Sequence, residues 1–189
     1  MSLHHTVKTA IIALASLPLG TQATGEDHRQ QAHVHGEAQL QVAIEGNTVD
    51  LILRSPAANL LGFEHQPRNA EQEQTLTQAQ EWLGANAMVQ TPGGDCTLMA
   101  GSIHSMGGRS EEHDHHEEKH HDHHEEEEKH SDFEVTQTLE CKSKPEDTLR
   151  APLMKRFPGI EQLSVEWLST DGQGHVELHT GEDDIHLEH

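Results

Sequence analysis

A chain of 189 residues with 33 acidic and only 12 basic side chains, for a formal charge of −21, has no basic patch with which to meet a phosphate backbone, which excludes nucleic acid as a partner. Its 19 histidines tie that charge to pH, because protonating all of them would bring it to −2. At 32% hydrophobic and 3% aromatic, the chain has material for one modest core and the length for a single domain.

Residues 1–23 read as a cleavable secretory signal. Lys8 supplies a short charged start, residues 9–19 form an apolar run too short to span a bilayer, and Thr21 and Ala23 are small residues suited to a cut after Ala23. The expectation is an exported, periplasmic protein with no stable membrane insertion after cleavage. In an oxidising compartment the two cysteines, Cys96 and Cys141, are expected to pair. Residues 24–32 are polar and read as a flexible segment, with a single domain following over 33–189.

From Ala38 the apolar residues alternate as Ala38, Leu40, Val42 and Ile44, turn at Glu45-Gly46-Asn47, and resume as Val49, Leu51 and Leu53: two antiparallel strands, each with one buried face. Ser55-Pro56 has the form of an N-cap followed by proline at the first helical position, and Gly62 closes the short helix it opens. Asn69 with Gln72 three residues on predicts a second helix, with Leu76, Ala79 and Leu83 on its packed face and Gly84 just past its end. Residues 88–91 and 96–104 read as short strands about the turn Pro92-Gly93-Gly94. Phe133, Val135, Leu139 and Cys141 mark another strand over residues 131–142. Residues 149–157 allow one or two helical turns between prolines. A last hairpin carries Leu163, Val165 and Trp167, the turn Asp171-Gly172-Gln173-Gly174, then Val176 and Leu178. The expected class is α+β: an antiparallel sheet of hairpins with two or three helices.

The strands at Cys96 and Cys141 enclose residues 111–130, whose twenty side chains are eight His (His113, His115, His116, His120, His121, His123, His124 and His130), ten carboxylates and two Lys. With no apolar atom to bury, this insertion has nothing to offset the entropy of ordering, on the order of 1–2 kcal/mol per residue, and is expected as a long disordered loop at a hairpin tip. Imidazole and carboxylate together suit Zn²⁺, and also Cu²⁺, Ni²⁺ and Co²⁺. The string His113-Asp-His-His-Glu-Glu-Lys-His120 is followed at once by His121-Asp-His-His-Glu-Glu-Glu-Glu-Lys-His130, two copies of one ligand set. Acidic runs are ordinarily plain solvated loops. Eight imidazoles are not explained that way, since His solubilises no better than Glu and is the commonest metal ligand. Many similar ligand sets in competition suit capture and release rather than a closed structural site.

His33, His35 and Glu37 have period-two spacing, which on a strand would aim them the same way as a second, better ordered metal site. The bland alternative is an exposed polar stripe at a strand entrance. His175, Glu177 and His179 repeat the spacing, with His186 nearby; His65 reads as closing a turn, and His104 sits near the insertion. An enzyme is disfavoured: there is no HExxH string, phosphate loop, nucleophile elbow or C-x-x-C pair.

Four blocks carry a resemblance: Ala32-His-Val-His-Gly-Glu-Ala-Gln-Leu40, Ser55-Pro-Ala-Ala-Asn-Leu-Leu-Gly-Phe-Glu-His65, Phe157-Pro-Gly-Ile160 and Val165-Glu-Trp-Leu168. In order and in kind the chain resembles the zinc-regulated periplasmic zinc-binding (ZrgA-type) family of Gram-negative bacteria, formerly a domain of unknown function. The resemblance implies a secreted protein with a His-rich insertion, working in zinc acquisition through the periplasm-facing zinc importer; the expected function is to capture Zn²⁺ and buffer it or supply it to an uptake system, the periplasmic zinc-binding protein of a zinc ABC importer being the candidate partner. The alternative from another class is a metal- or pH-sensing module whose loop orders on binding and regulates a transporter.

Overall fold

The computed structural model describes residues 34–93, 95–106 and 131–187. The signal segment, residues 24–32, His33, Gly94 and the whole insertion 111–130 lie outside the described residues.

Alternation works as expected at the start. Strand β1 (Glu37–Glu45) buries Ala38, Leu40, Val42 and Ile44 and turns its polar residues outward. Gly46, at φ +59°, supplies the left-handed backbone of a two-residue turn, and β2 (Thr48–Pro56) returns antiparallel with Val49, Leu51 and Leu53 inward. The strand then runs through Ser55-Pro56, so Ser55 does not cap α1 (Ala57–Leu61), whose N-cap position is held by Pro56. Ser55 is buried instead, its Oγ donating to the Pro56 carbonyl and accepting from Asn59 Nδ2. Gly62 closes α1 as expected at φ +82°, its N–H donating to the Ala58 carbonyl.

Helix α2 (Ala70–Ala85) begins where the capping residues place it: the Asn69 side chain accepts from Gln72 N–H at 2.9 Å, and Gln72 Oε1 reaches back to Arg68 N–H at 2.8 Å. It runs through Gly84 to Ala85, two residues beyond the end that Gly84 implies. Asn86 terminates it, with both its backbone N–H and its amide donating to the Trp82 carbonyl, so no left-handed glycine is needed. Residues 88–91 do not form the expected strand. They make one bridge, Gln90 to Arg150, while Met88 and Val89 point into the core.

Strand β3 (Cys96–Met106) pairs antiparallel with β4 (Asp132–Cys141), from Cys96 opposite Cys141 to Met106 opposite Asp132. The two cysteines form the expected disulfide. After β4 come β5 (Thr148–Arg150), α3 (Leu153–Arg156), β6 (Gln162–Ser169), β7 (Gln173–His179) and β8 (Asp184–His186). β5 and β8 make a small two-stranded sheet that the apolar pattern, only three residues long in each strand, did not announce.

The main sheet has the order β3-β4-β2-β1-β6-β7. It is mixed, which corrects the purely antiparallel expectation: β1 and β6 run parallel, Glu37 beside Gln162 through Ile44 beside Ser169. Alternation reports which face of a strand is buried but not which strand lies beside it, so a pair this far apart in sequence leaves no local trace. Helices and the small sheet all cover one face, where Leu83, Leu149, Leu153, Phe157, Ile160 and Ile185 complete the core. The other face is open, with Gln39, Gln41, Asp50, Arg54, Glu166, His175 and Glu177 exposed. The fold is thus α+β with three helices.

One core position is polar. Gln137, at an inward position of β4, is 2% exposed; its Oε1 accepts from Met88 N–H at 2.8 Å and its Nε2 donates to the Leu83 and Asn86 carbonyls at 2.6 and 2.8 Å. It pins the end of α2 to the sheet. Gln137→Ala strands these backbone groups, and urea unfolding should find the domain less stable by about 2–3 kcal/mol, the cost of leaving buried groups unsatisfied.

Candidate metal centre

All six strands of the main sheet have an end on one side of the molecule: β1, β4 and β6 start there, and β2, β3 and β7 finish there. Met106 and Ser131, which flank residues 107–130, lie at that end, and so do His35, Glu37 and His179. The described residues that flank the insertion and these ligand candidates therefore share one rim.

His35 does not stand on a strand. It lies in a turn, and Gly36 at φ +88° breaks the alternation before β1 begins, so the premise of a shared strand face fails for His35 and Glu37. The turn is held from beneath. Asn59, 4% exposed, accepts from Gly36 N–H through Oδ1 at 2.8 Å and donates through Nδ2 to the Glu37 carbonyl at 2.8 Å. The Gly36 carbonyl accepts from the N–H groups of both Glu161 and Gln162. Gly159 lets this layer close: a Cβ there would stand 2.5 Å from the Asn59 carbonyl oxygen. Asn59→Ala should cost about 2–3 kcal/mol and loosen the His35 turn, seen as a lower urea midpoint and faster hydrogen exchange at Gly36.

Above the turn, His35 Nε2 lies 2.5 Å from Glu64 Oε1; the imidazole is 65% exposed and the carboxylate only 14%. Glu64 in turn bonds Ser131, the first described residue after the insertion: its carbonyl accepts from Ser131 Oγ, while the Ser131 carbonyl accepts from Ala57 N–H at 2.9 Å. The chain leaving the insertion is thus bonded to the residue that holds His35. Sequence reasoning passed over Glu64, since nothing in its spacing links it to His35.

His35, Gly36, Glu37, Glu161, Gln162, His179 and Thr180 line a recess of about 400 Å³. None of these is a cation, and two are imidazoles. Among the described residues no three His, Cys, Asp or Glu side chains already converge as a metal cage. A larger recess of about 660 Å³ on the open sheet face is lined by Ala43, Ile52, Leu168 and neighbours. Its polar groups are engaged: Asp50 accepts from Thr138 Oγ1, Glu166 from Gln41, and His175 shares a hydrogen bond with Ser164.

The remaining histidines are dispersed. His65 stacks on Phe63 and bonds the Gln66 carbonyl. His104 is exposed on β3 opposite Glu134. His175 and Glu177 point outward from β7, whereas His179, at its end, joins the recess beside His35. His186 lies on β8 against Thr148. The eight His of the insertion, and His33, lie outside the described residues.

A family model for ZrgA family zinc uptake proteins matches residues 32–187. The chain belongs to this family. The match takes in the domain and the insertion, and the four blocks of the ZrgA resemblance come together in space: Asn59 bonds Gly36, Gly159 abuts Asn59, and β6 lies beside β1. No curated protein matches the chain. ZrgA proteins are a zinc uptake family and not an enzyme family. Among the described residues no helix is long and apolar enough to cross a membrane.

Proposed function

We propose that the protein, once exported, collects Zn²⁺ through His113, His115, His116, His120, His121, His123, His124 and His130 with their neighbouring carboxylates, and buffers it or passes it to the periplasmic binding protein of a zinc ABC importer. Zinc is cargo here, held by many similar ligand sets that exchange, rather than a resident cofactor. What supports the reading is the composition of residues 111–130 in a chain of the zinc uptake family. The pairing of β3 with β4 suits it further, because the residues flanking the insertion leave from a paired hairpin whose far end is closed by a disulfide.

The test is equilibrium dialysis of the mature protein against Zn²⁺ at pH 7 and at pH 5. A protonated imidazole cannot ligate, and an unperturbed His titrates near 6.5, so most of the zinc bound at pH 7 should be lost at pH 5. Equal stoichiometry at both values would overturn capture by His.

A further inference from the structure

We propose that the open face of the main sheet docks a protein partner whose surface carries Lys or Arg side chains around an apolar residue. The inference rests on the transfer reading above and deepens it, by giving the surface chemistry of the protein that receives the zinc.

The register lays this face out row by row. Leu168 of β6, Ala43 of β1 and Asp50 of β2 stand side by side, and the next row holds Glu166, Gln41 and Ile52 on the same strands. Leu168, Ala43 and Ile52 thus form one apolar floor in the recess of about 660 Å³. Asp50 and Glu166 stand at opposite corners of it, roughly 12 Å apart by ordinary strand spacings. Leu168 is 57% exposed. An apolar centre inside a polar margin is the anatomy of a protein interface, not of a plain solvated sheet.

Charge selects the occupant. Glu45, Asp50, Glu140, Glu166 and Glu177 are exposed on this face, and none of them meets a Lys or Arg among the described residues. In the strands of the main sheet Arg54 is the sole Lys or Arg, and Glu134 already pairs with it at 2.9 Å. A carboxylate accepts about four hydrogen bonds, so Thr138 on Asp50 and Gln41 on Glu166 leave room for an ammonium or guanidinium. A second copy presenting the same face is repelled, and so is any phosphate surface. A basic protein surface is attracted: the stems of its Lys or Arg cover the apolar floor while their heads reach the carboxylates.

Size and place agree. The six strands make a face of roughly 24 by 27 Å, on the order of 650 Å², a little under the ~800 Å² per partner of a standard interface. That suits the brief encounter that a metal hand-over needs. Met106 and Ser131, which flank the insertion, lie at one end of the face, so a partner seated on it stands beside them.

The test is an NMR titration of the full mature chain, metal-free at pH 7, with the peptide acetyl-Arg-Leu-Arg-Leu-Arg-amide as probe and acetyl-Arg-Ser-Arg-Ser-Arg-amide beside it. The Leu peptide should shift the amides of Ala43, Ile52, Glu166 and Leu168 saturably, and the Ser peptide should bind about tenfold more weakly for want of apolar burial. Asp50→Asn with Glu166→Gln should weaken the Leu peptide about tenfold, whereas Glu71→Gln with Glu81→Gln on α2 removes the same charge elsewhere and should change nothing. Leu168→Thr leaves every charge in place and should weaken it too. No saturable shift, shifts spread over acidic residues of the whole surface, equal losses from the two charge-removed pairs, or equal binding of the two peptides overturns the proposal. Recess signals that move with protein concentration alone, or on deletion of residues 24–32 or 111–130, give the face to a second copy or to the chain's own segments and overturn it as well. Zinc dialysis keeps the two readings apart. The Asp50→Asn, Glu166→Gln variant should bind as much Zn²⁺ as the parent, and a parent that binds the Leu peptide but no Zn²⁺ keeps the docking face while the capture role falls.

Discussion

Deleting residues 111–130 and joining the strand ends by a short turn should remove most of the zinc that the protein binds, and leave the domain folded. Met106 and Asp132 are already paired across β3 and β4, so a turn of about two to five residues can close the gap. The deleted segment holds eight of the chain's 19 histidines and takes the formal charge from −21 to −13, which lessens self-repulsion in the metal-free state. Without zinc the deletion variant should therefore melt at the same temperature as the parent or slightly above it. With zinc the order should reverse if the folded rim improves the geometry of binding, since a ligand specific for the native state adds RT ln(1 + [L]/Kd), about 2.7 kcal/mol at a hundredfold excess over Kd. Melting curves of both forms with and without Zn²⁺ decide between two places of coupling. An equal zinc-induced rise in both would put the stabilising ion in the domain and not in the insertion, with His33, His35 and Glu37 the first candidates.

The second large effect concerns the opposite end of the same hairpin. Cys96 and Cys141 face each other at the last rung of β3 and β4, with a sequence separation of 45. In the chain-entropy account, closing a loop of that length removes about 4 kcal/mol of freedom from the unfolded chain. Replacing both cysteines by Ala should lower stability by up to about that amount, and should raise the urea m-value, because the unlinked denatured chain exposes more surface. A loss under about 1 kcal/mol with an unchanged m-value would mean that the denatured chain is compact at this point with or without the crosslink. Thiol titration of the parent protein should find no free sulfhydryl.

The β1–β2 hairpin, the start of α2, the β3–β4 pairing and the β6–β7 hairpin were legible because each is set by short-range chemistry: alternation, a capping residue, a turn glycine. What was not legible is long-range or is polar in an apolar place. Gln137 occupies an inward position where the pattern asks for a hydrophobe, so the reading stepped over it between Val135 and Leu139. Ser55 looked like a cap from its sequence neighbours, yet its hydroxyl serves Asn59. His35 and Glu37 were read as partners through a strand period that Gly36 interrupts, and both reached the same recess by another route, through Asn59. Glu161 and His179 belong to segments far from His35 in sequence, and only the order of strands brings them to the recess it lines, while Glu64 meets His35 from the segment after α1.

The parallel pairing of β1 with β6 sets a schedule for folding. Gln41 of β1 meets Glu166 of β6, a partner 125 residues further along the chain. A polypeptide delivered N-terminus first can form the β1–β2 hairpin early, but β1 keeps one open edge until β6 arrives, and the His35 turn lacks its bonds to Glu161 and Gln162 until then. Closure over so long a loop is slow, in the millisecond-to-second range for sheets dominated by distant pairings. During that interval the exposed β1 edge is the segment most open to mispairing with a second chain, so refolding yield should fall with protein concentration more steeply than native stability alone would imply.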